Sequence, residues 1–368
     1  MITIENPNLG IRPELFGAKG DGIADDTQAL RDCYTYISKL KGYTNLTILL
    51  SGIYRITDTW VLGTKFVDES DIFQNTAKAP SLNQVEFNSS RRIPLISIKG
   101  TGAAGIYADF ESSTPKAVIY YCIQGDTRVP QSIELYNAQI AGVGIYPKGY
   151  FSKGIPTRAI TANNNLFGIV SLNNTHLTIV NCTVIGMREG IVQNYSYFSN
   201  VSKCDIRHCQ RGFYSYGCGS SKFNDSTIAF TGKAVEIRSS QFGLDGIYAS
   251  SCSIGLHVAA GGFNGSRIYL ESSNTGESQI IIGDNPGDQY YTSGIVDNVV
   301  FTNLTVVANK PEGAGNSLVM KDNARRVIIL GGALQSSDKV FTNPLNELSI
   351  LGVSGTFPTR NTKKIVTL

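Results

Sequence analysis

Charge is what this 368-residue chain has least of: Asp, Glu, Lys and Arg make up 17% of it, where about a quarter is usual. A coiled coil depends on charged helical heptads and is excluded on that ground. Disorder is excluded from the other side, by 42% hydrophobic residues. The 32 Lys and Arg only just outnumber the 29 Asp and Glu. No basic cluster exceeds pairs such as Arg91-Arg92 and Arg325-Arg326. A nucleic-acid partner needs a concentrated basic stripe and is not expected. No apolar run approaches the roughly 18 residues of a membrane span, so insertion into a membrane is not expected either. The N-terminal MITIENPNLG has neither the basic nor the apolar region of a secretion signal. Seven cysteines, an odd number, fit no disulfide framework. The expectation is reduced thiols in a chain that folds in cytoplasm.

Glycine, by contrast, is plentiful, with 38 residues. Gly17, Gly20 and Gly22 mark turns, and Asp25 or Asp26 offers a cap for the helix that follows. Leu30, Cys33, Ile37 and Leu40 recur at helical spacing, and Gly42 ends the run. Beyond a strand–turn–strand pattern at 47–56, no further helix is indicated. Gly100-Thr101-Gly102-Ala103-Ala104-Gly105 matches a dinucleotide fingerprint, but a strand-like run follows where an amphipathic helix is required. Three histidines and dispersed cysteines do not make a metal centre: Cys204, Cys209 and Cys218 lack paired ligand spacing, and Cys182 and Cys204 read as stacked core residues. No cofactor and no His/Cys metal centre is expected; calcium, whose oxygen ligands need no short motif, is left open.

The strongest signal is internal. Strings beginning at Gly168, Gly190, Gly212, Ala234 and Gly255 start 22, 22, 22 and 21 residues apart, and Val184, Ile206 and Ile228 keep the same interval. Weaker copies follow around Ser293–Val296, Ser317–Met320 and Arg326–Ile329. Strands and turns at this period, without the leucine-rich consensus, predict an all-β fold: a right-handed parallel β-helix with a short N-terminal capping helix. Rungs about 4.8 Å apart would give 11 or 12 turns and a rod on the order of 55 Å. The expected boundaries are an arm at 1–13, a cap at 14–60, the β-helix at 61–355 and a tail at 356–368.

The cap segment carries a likeness. Phe16-Gly17-Ala18, Gly20-Asp21-Gly22 and Asp25-Asp26-Thr27-Gln28-Ala29, then a helix and the Tyr54 strand, resemble the start of the pectate-lyase-like superfamily, as in phage tailspikes and polysaccharide depolymerases. Leu50-Ser51 depart from that pattern, standing where prolines are common. The motif is a capping element without catalytic chemistry. The resemblance implies a phage tail-associated depolymerase acting on a bacterial capsule or O-antigen polysaccharide. It also implies a homotrimer, a virion location after folding in host cytoplasm, and an N-terminal arm available to another phage tail protein. The alternative is a glycan-binding or structural tail protein without activity.

The repeat assigns side chains to faces. With Ile169, Ile191, Phe213, Val235 and Leu256 inward, alternation sends Val170, Val192, Tyr214, Glu236 and His257 outward. Two positions further lie Leu172, Asn194, Tyr216, Arg238 and Ala259. Tyr214, Tyr216, Arg238, Asn194 and Lys203 are the expected substrate-binding residues, since rings stack on pyranose faces and polar groups fix hydroxyls. An ordinary solvated sheet surface is the plainer reading of the same columns. A second column runs Asn181, Lys203, Asp225, with Asp245 twenty residues on, where a register slip would turn it away. Glu236, Asp225, Asp245 and His257 are the expected catalytic set. Stacked carboxylates suit glycoside hydrolysis, slightly favoured here over elimination by Lys203, His257 or a tyrosine. On this reading Glu236→Gln removes depolymerisation and leaves folding intact.

Overall fold

The computed structural model describes residues 10–40, 45–63, 95–122, 133–142, 165–172, 177–273, 279–284, 294–309, 318–335, 339–341, 347–355 and 365–367. These fall into two compact units, Met1–Cys209 and Gln210–Leu368. Most of the expected arm and tail, His176, the Arg91-Arg92 pair and Ser293 lie outside the described residues.

The first unit opens with the cap, and its glycine- and aspartate-rich sequence is explained bond by bond. Asp21 accepts the N–H groups of Ile23 and Ala24 at 2.8 and 2.9 Å. Asp25, rather than Asp26, binds the Thr27 N–H that opens the helix Thr27–Lys39. Asp26 is buried and accepts from the backbone of Lys19 and Gly20 instead. Leu30, Cys33 and Ile37 form the buried helix face, as their spacing predicts. Gly52 lies so close to Gly20 that a Cβ there would overlap the Gly20 carbonyl. Tyr54 is buried and donates its hydroxyl to Glu14 at 2.8 Å. The motif is a cross-braced cap, and Gly17, Gly20 and Gly22 take the left-handed backbone that its turns require.

Behind the cap, short strands pair in parallel with the strand one turn away. Trp60, Ile119, Ile169 and Ile191 stack in one buried column. A second holds Ile48, Ile98, Leu135, Ile179 and Val201, and a third Tyr54, Ile106, Ile140, Val184 and Ile206. Cys182 and Cys204 sit at equivalent positions and are buried. Gly100–Gly105 is a turn between two strands, with Gly102 at φ 62, so no nucleotide-binding helix follows it.

The second unit repeats the scheme. Phe213, Val235, Leu256, Ile280 and Leu318 form one buried column. Phe223, Leu244, Gly265, Phe301, Ile329 and Ile350 form another. Phe213 and Phe223 stack at 4.3 Å between the two sheets. The later copies need correction. Leu318–Met320 does continue the first column, but 38 residues after Ile280–Ile282, while Arg326–Gln335 belongs to the other sheet. Val296 makes only an isolated bridge to Ala324. Variable turn length, which carries no strand pattern, hides this from a fixed period.

Each unit turns a corner on single left-handed residues. In the first these include Asn137, Asn181 and Lys203, at φ 53, 54 and 55. In the second they are Asp225, Gly246, Arg267, Asn303, Gly331 and Gly352. Asn, Asp and Gly tolerate that conformation best, which accounts for the recurring residue types. The Asn181, Lys203, Asp225 series is therefore a set of corner residues, not a strand face.

Candidate functional site

Two charged clusters of opposite character stand in the second unit. The first is built on the strand Lys233–Arg238 and its neighbours. Glu236 pairs with His257 and Tyr214 across adjacent strands, as the repeat predicts. It is 1% exposed rather than solvated, which corrects the expected open face. Arg211 and Lys233 approach its Oε2, both at 2.8 Å, and Arg238 its Oε1 at 2.6 Å. Arg238 also donates to both oxygens of the buried Asp284 at 2.8 and 3.1 Å. His257 directs Nε2 to the Gly283 carbonyl at 3.0 Å and Nδ1 to Lys233 Nζ at 3.2 Å, a pattern that the tautomer protonated on Nε2 satisfies. Arg211 lies over the Tyr214 ring at 3.8 Å.

Burial alone pushes the Glu236 carboxyl up, but the cations Arg211, Lys233 and Arg238 outweigh it and hold it well below the usual carboxylate range. Asp284 is likewise held down against burial by His257 and Arg238. A carboxylate so firmly ionised is a poor proton donor. Alternation correctly turned this column out of the first sheet face, but alternation does not say what covers it. Here long cationic side chains close over it.

The second cluster is open. Asp245 lies opposite Asn224, one residue out of register with Asp225, so the two aspartates do not stack, and the slip named for the shortened rung is what occurs. The 21-residue rung sets Asp225 against Gly246, at the corner. The two carboxylates nevertheless meet on one guanidinium. Arg267 donates to Asp225 at 3.2 Å and to both oxygens of Asp245. Ser266 adds a hydroxyl bond to Asp245. The Arg267 hydrogen bonds outweigh desolvation and lower the Asp245 pKa. The side chains of Asp225 and Asp245 are 50% and 39% exposed. Beside them runs a cavity of about 380 Å³ lined by Lys222, Asn224, Asn264, Ser266 and Thr302 among others.

The predicted residues thus divide. Glu236, His257, Tyr214 and Arg238 come together in the buried cluster, and Tyr216 is half-buried opposite Arg238. Asp225 and Asp245 come together at the surface. Asn194 is buried in the strand Glu189–Asn194 of the first unit, and Lys203 is an exposed corner residue of the same unit. Arg267 was missed although it lies 22 residues after Asp245, one further period along. Arg211 and Lys233, also 22 apart, were legible in the same way. Asp284 follows a lengthened turn and had no periodic signal.

Residues 72–242 match the family model described as the right handed beta helix region. No curated protein sequence matches the chain. Solved structures do. The tailspike protein of E. coli bacteriophage HK620 in complex with pentasaccharide superposes with a TM-score of 0.62 at 12% identity, over 97% of this chain and 65% of that one. Geobacillus virus E2 ORF18 gives 0.54 at 12%, over 94% and 61%. DFA-IIIase from Arthrobacter chlorophenolicus A6 without its lid gives 0.59 at 11%, over 98% and 92%. The chain spans less than two thirds of the length of the two viral proteins. Among the described residues no helix is long and apolar enough to cross a membrane. The parallel columns, the capping helix and these likenesses together show that the chain has the right-handed parallel β-helix fold.

Proposed function

We propose that the protein binds and depolymerises a bacterial surface polysaccharide as part of a phage tail, by hydrolysis at the open acidic cluster of the second unit. The carrying observation is the pair Asp225 and Asp245 beside a polar cavity, joined by Arg267. Paired carboxyl groups are the composition glycoside hydrolysis uses. Asp245, kept ionised by Arg267, is assigned the base or nucleophile role, and Asp225 the partner carboxyl. Exposure gives both access to a polymer too large for an enclosed pocket. The buried Glu236 network is assigned to holding the sheet, not to chemistry. A homotrimer and attachment through the N-terminal arm belong to the same reading and rest on the tailspike likeness.

A second reading, glycan binding without cleavage, draws on one observation: Arg267 engages both carboxylates at once. The test is incubation with a panel of capsular and O-antigen polysaccharides, following reducing ends and unsaturated-uronide absorbance together. New reducing ends alone support hydrolysis. Absorbance rising with them replaces it by elimination. Binding with neither signal selects the second reading.

A further inference from the structure

Across the corner from the acidic cluster stands an aromatic pair that the proposed chemistry does not use. Tyr248 and Tyr269 are neighbours on adjacent strands, their rings stacked at 5.2 Å and 13° apart in plane. Tyr248 is 40% exposed, high for so large a ring. Its neighbour on the other side is Thr227, whose short side chain cannot cover a phenol face. The ring is also fixed in place: its hydroxyl donates to Glu271 at 2.9 Å. An exposed aromatic ring held from one side and from its tip has lost its rotamer freedom before any ligand arrives, which lowers the entropy lost on binding. It lies three positions after Asp245, so the two Cα atoms lie within about 11 Å.

Resting on the polysaccharide reading, we infer that Tyr248 is a sugar-stacking residue, taking the apolar C–H face of a pyranose ring of the same glycan whose backbone meets Asp225 and Asp245. The ring supplies a flat apolar surface, and Glu271 and Ser250, which follow on the same outward faces, supply hydroxyl partners. Tyr269 acts behind it as the positioning ring. The Glu271 hydrogen bond raises the Tyr248 pKa above its already alkaline ordinary value, so the phenol is protonated across neutral pH.

The experiment is binding of the wild type, Tyr248→Ala, Tyr248→Phe and Asp245→Asn to purified capsular and O-antigen polysaccharides by calorimetry, with turnover measured in parallel. On the glycan the wild type binds, Tyr248→Ala weakens affinity about tenfold and Tyr248→Phe keeps it within about twofold. Asp245→Asn binds as the wild type does and turns over far less. Unchanged affinity in Tyr248→Ala overturns the stacking role and leaves the polysaccharide reading standing. Equal loss in Tyr248→Phe also overturns it, by assigning the effect to the hydroxyl. No glycan bound by the wild type overturns both. Thr227→Leu, which covers the ring face without altering the tyrosine, gives the same loss as Tyr248→Ala if the open face is the binding surface.

Discussion

The second unit uses carboxylate and guanidinium twice, to different ends. At Glu236 two acids and three cations interlock with the carboxylates almost out of solvent; at Asp245 two acids share one arginine in the open. The bonds are of similar kind and length. What separates them is the medium. Out of water, an ion that loses its partner has nothing else to solvate it. At the surface water takes over at once, and a pair is worth little. Interlocking charge therefore marks structure at Glu236, while the accessible charge at Asp245 is what the proposed hydrolysis draws on.

The sharpest way to break this contrast is Glu236→Gln. Removing the buried charge leaves Arg211, Lys233 and Arg238 facing one another, and a loss of about 3–5 kcal/mol in unfolding free energy is expected, measured by denaturant titration. A stable variant without activity would move catalysis to the buried cluster and return to the expectation from sequence. Asp245→Asn is the mirror image. Turnover on a cleaved glycan falls at least about a hundredfold, while stability changes by no more than about 1 kcal/mol.

Acid separates the two clusters more finely. Glu236 and Asp284 have folded-state pKa values below their unfolded ones. The stability this contributes is complete above about pH 4.5 and is lost as pH falls through the folded values. Denaturation midpoints from pH 7 to 3 are thus expected to fall for the wild type and to be flatter for Glu236→Gln, closing the gap between them. The smallest effect belongs to Arg267→Gln. It lets the Asp245 pKa rise towards its ordinary value, so the acid limb of the pH–rate profile moves to higher pH, while the melting temperature scarcely shifts.

Much of this was legible beforehand, for a definite reason. A 22-residue interval places Tyr214, Glu236 and His257 on successive strands because parallel strands in a coil must stack residue on residue. The helix and its aspartates were legible because caps and turns have local chemistry. Exposure was not. Strand alternation tells which way Glu236 points and is silent about Arg211 and Lys233 reaching over it, since those belong to other positions in the chain. The offset of Asp245 from Asp225, by contrast, was legible, because a rung one residue short shifts the register by one. Asp225 itself sits on a left-handed corner, where strand alternation has no meaning. Periodicity transmits position well and environment poorly.

The corner has a consequence of its own. Asp225, Gly246, Arg267 and Asn303 occupy equivalent bends on successive turns, with different side chains or none, and the backbone turns the same way at each. Shape at this ridge is set by a backbone angle that several residue types accept, while chemistry is set by whichever side chain the residue brings. The two vary independently. Residues at these bends can be exchanged turn by turn while the hydrophobic columns beneath stay undisturbed, so that a fixed backbone remains free to change what it displays.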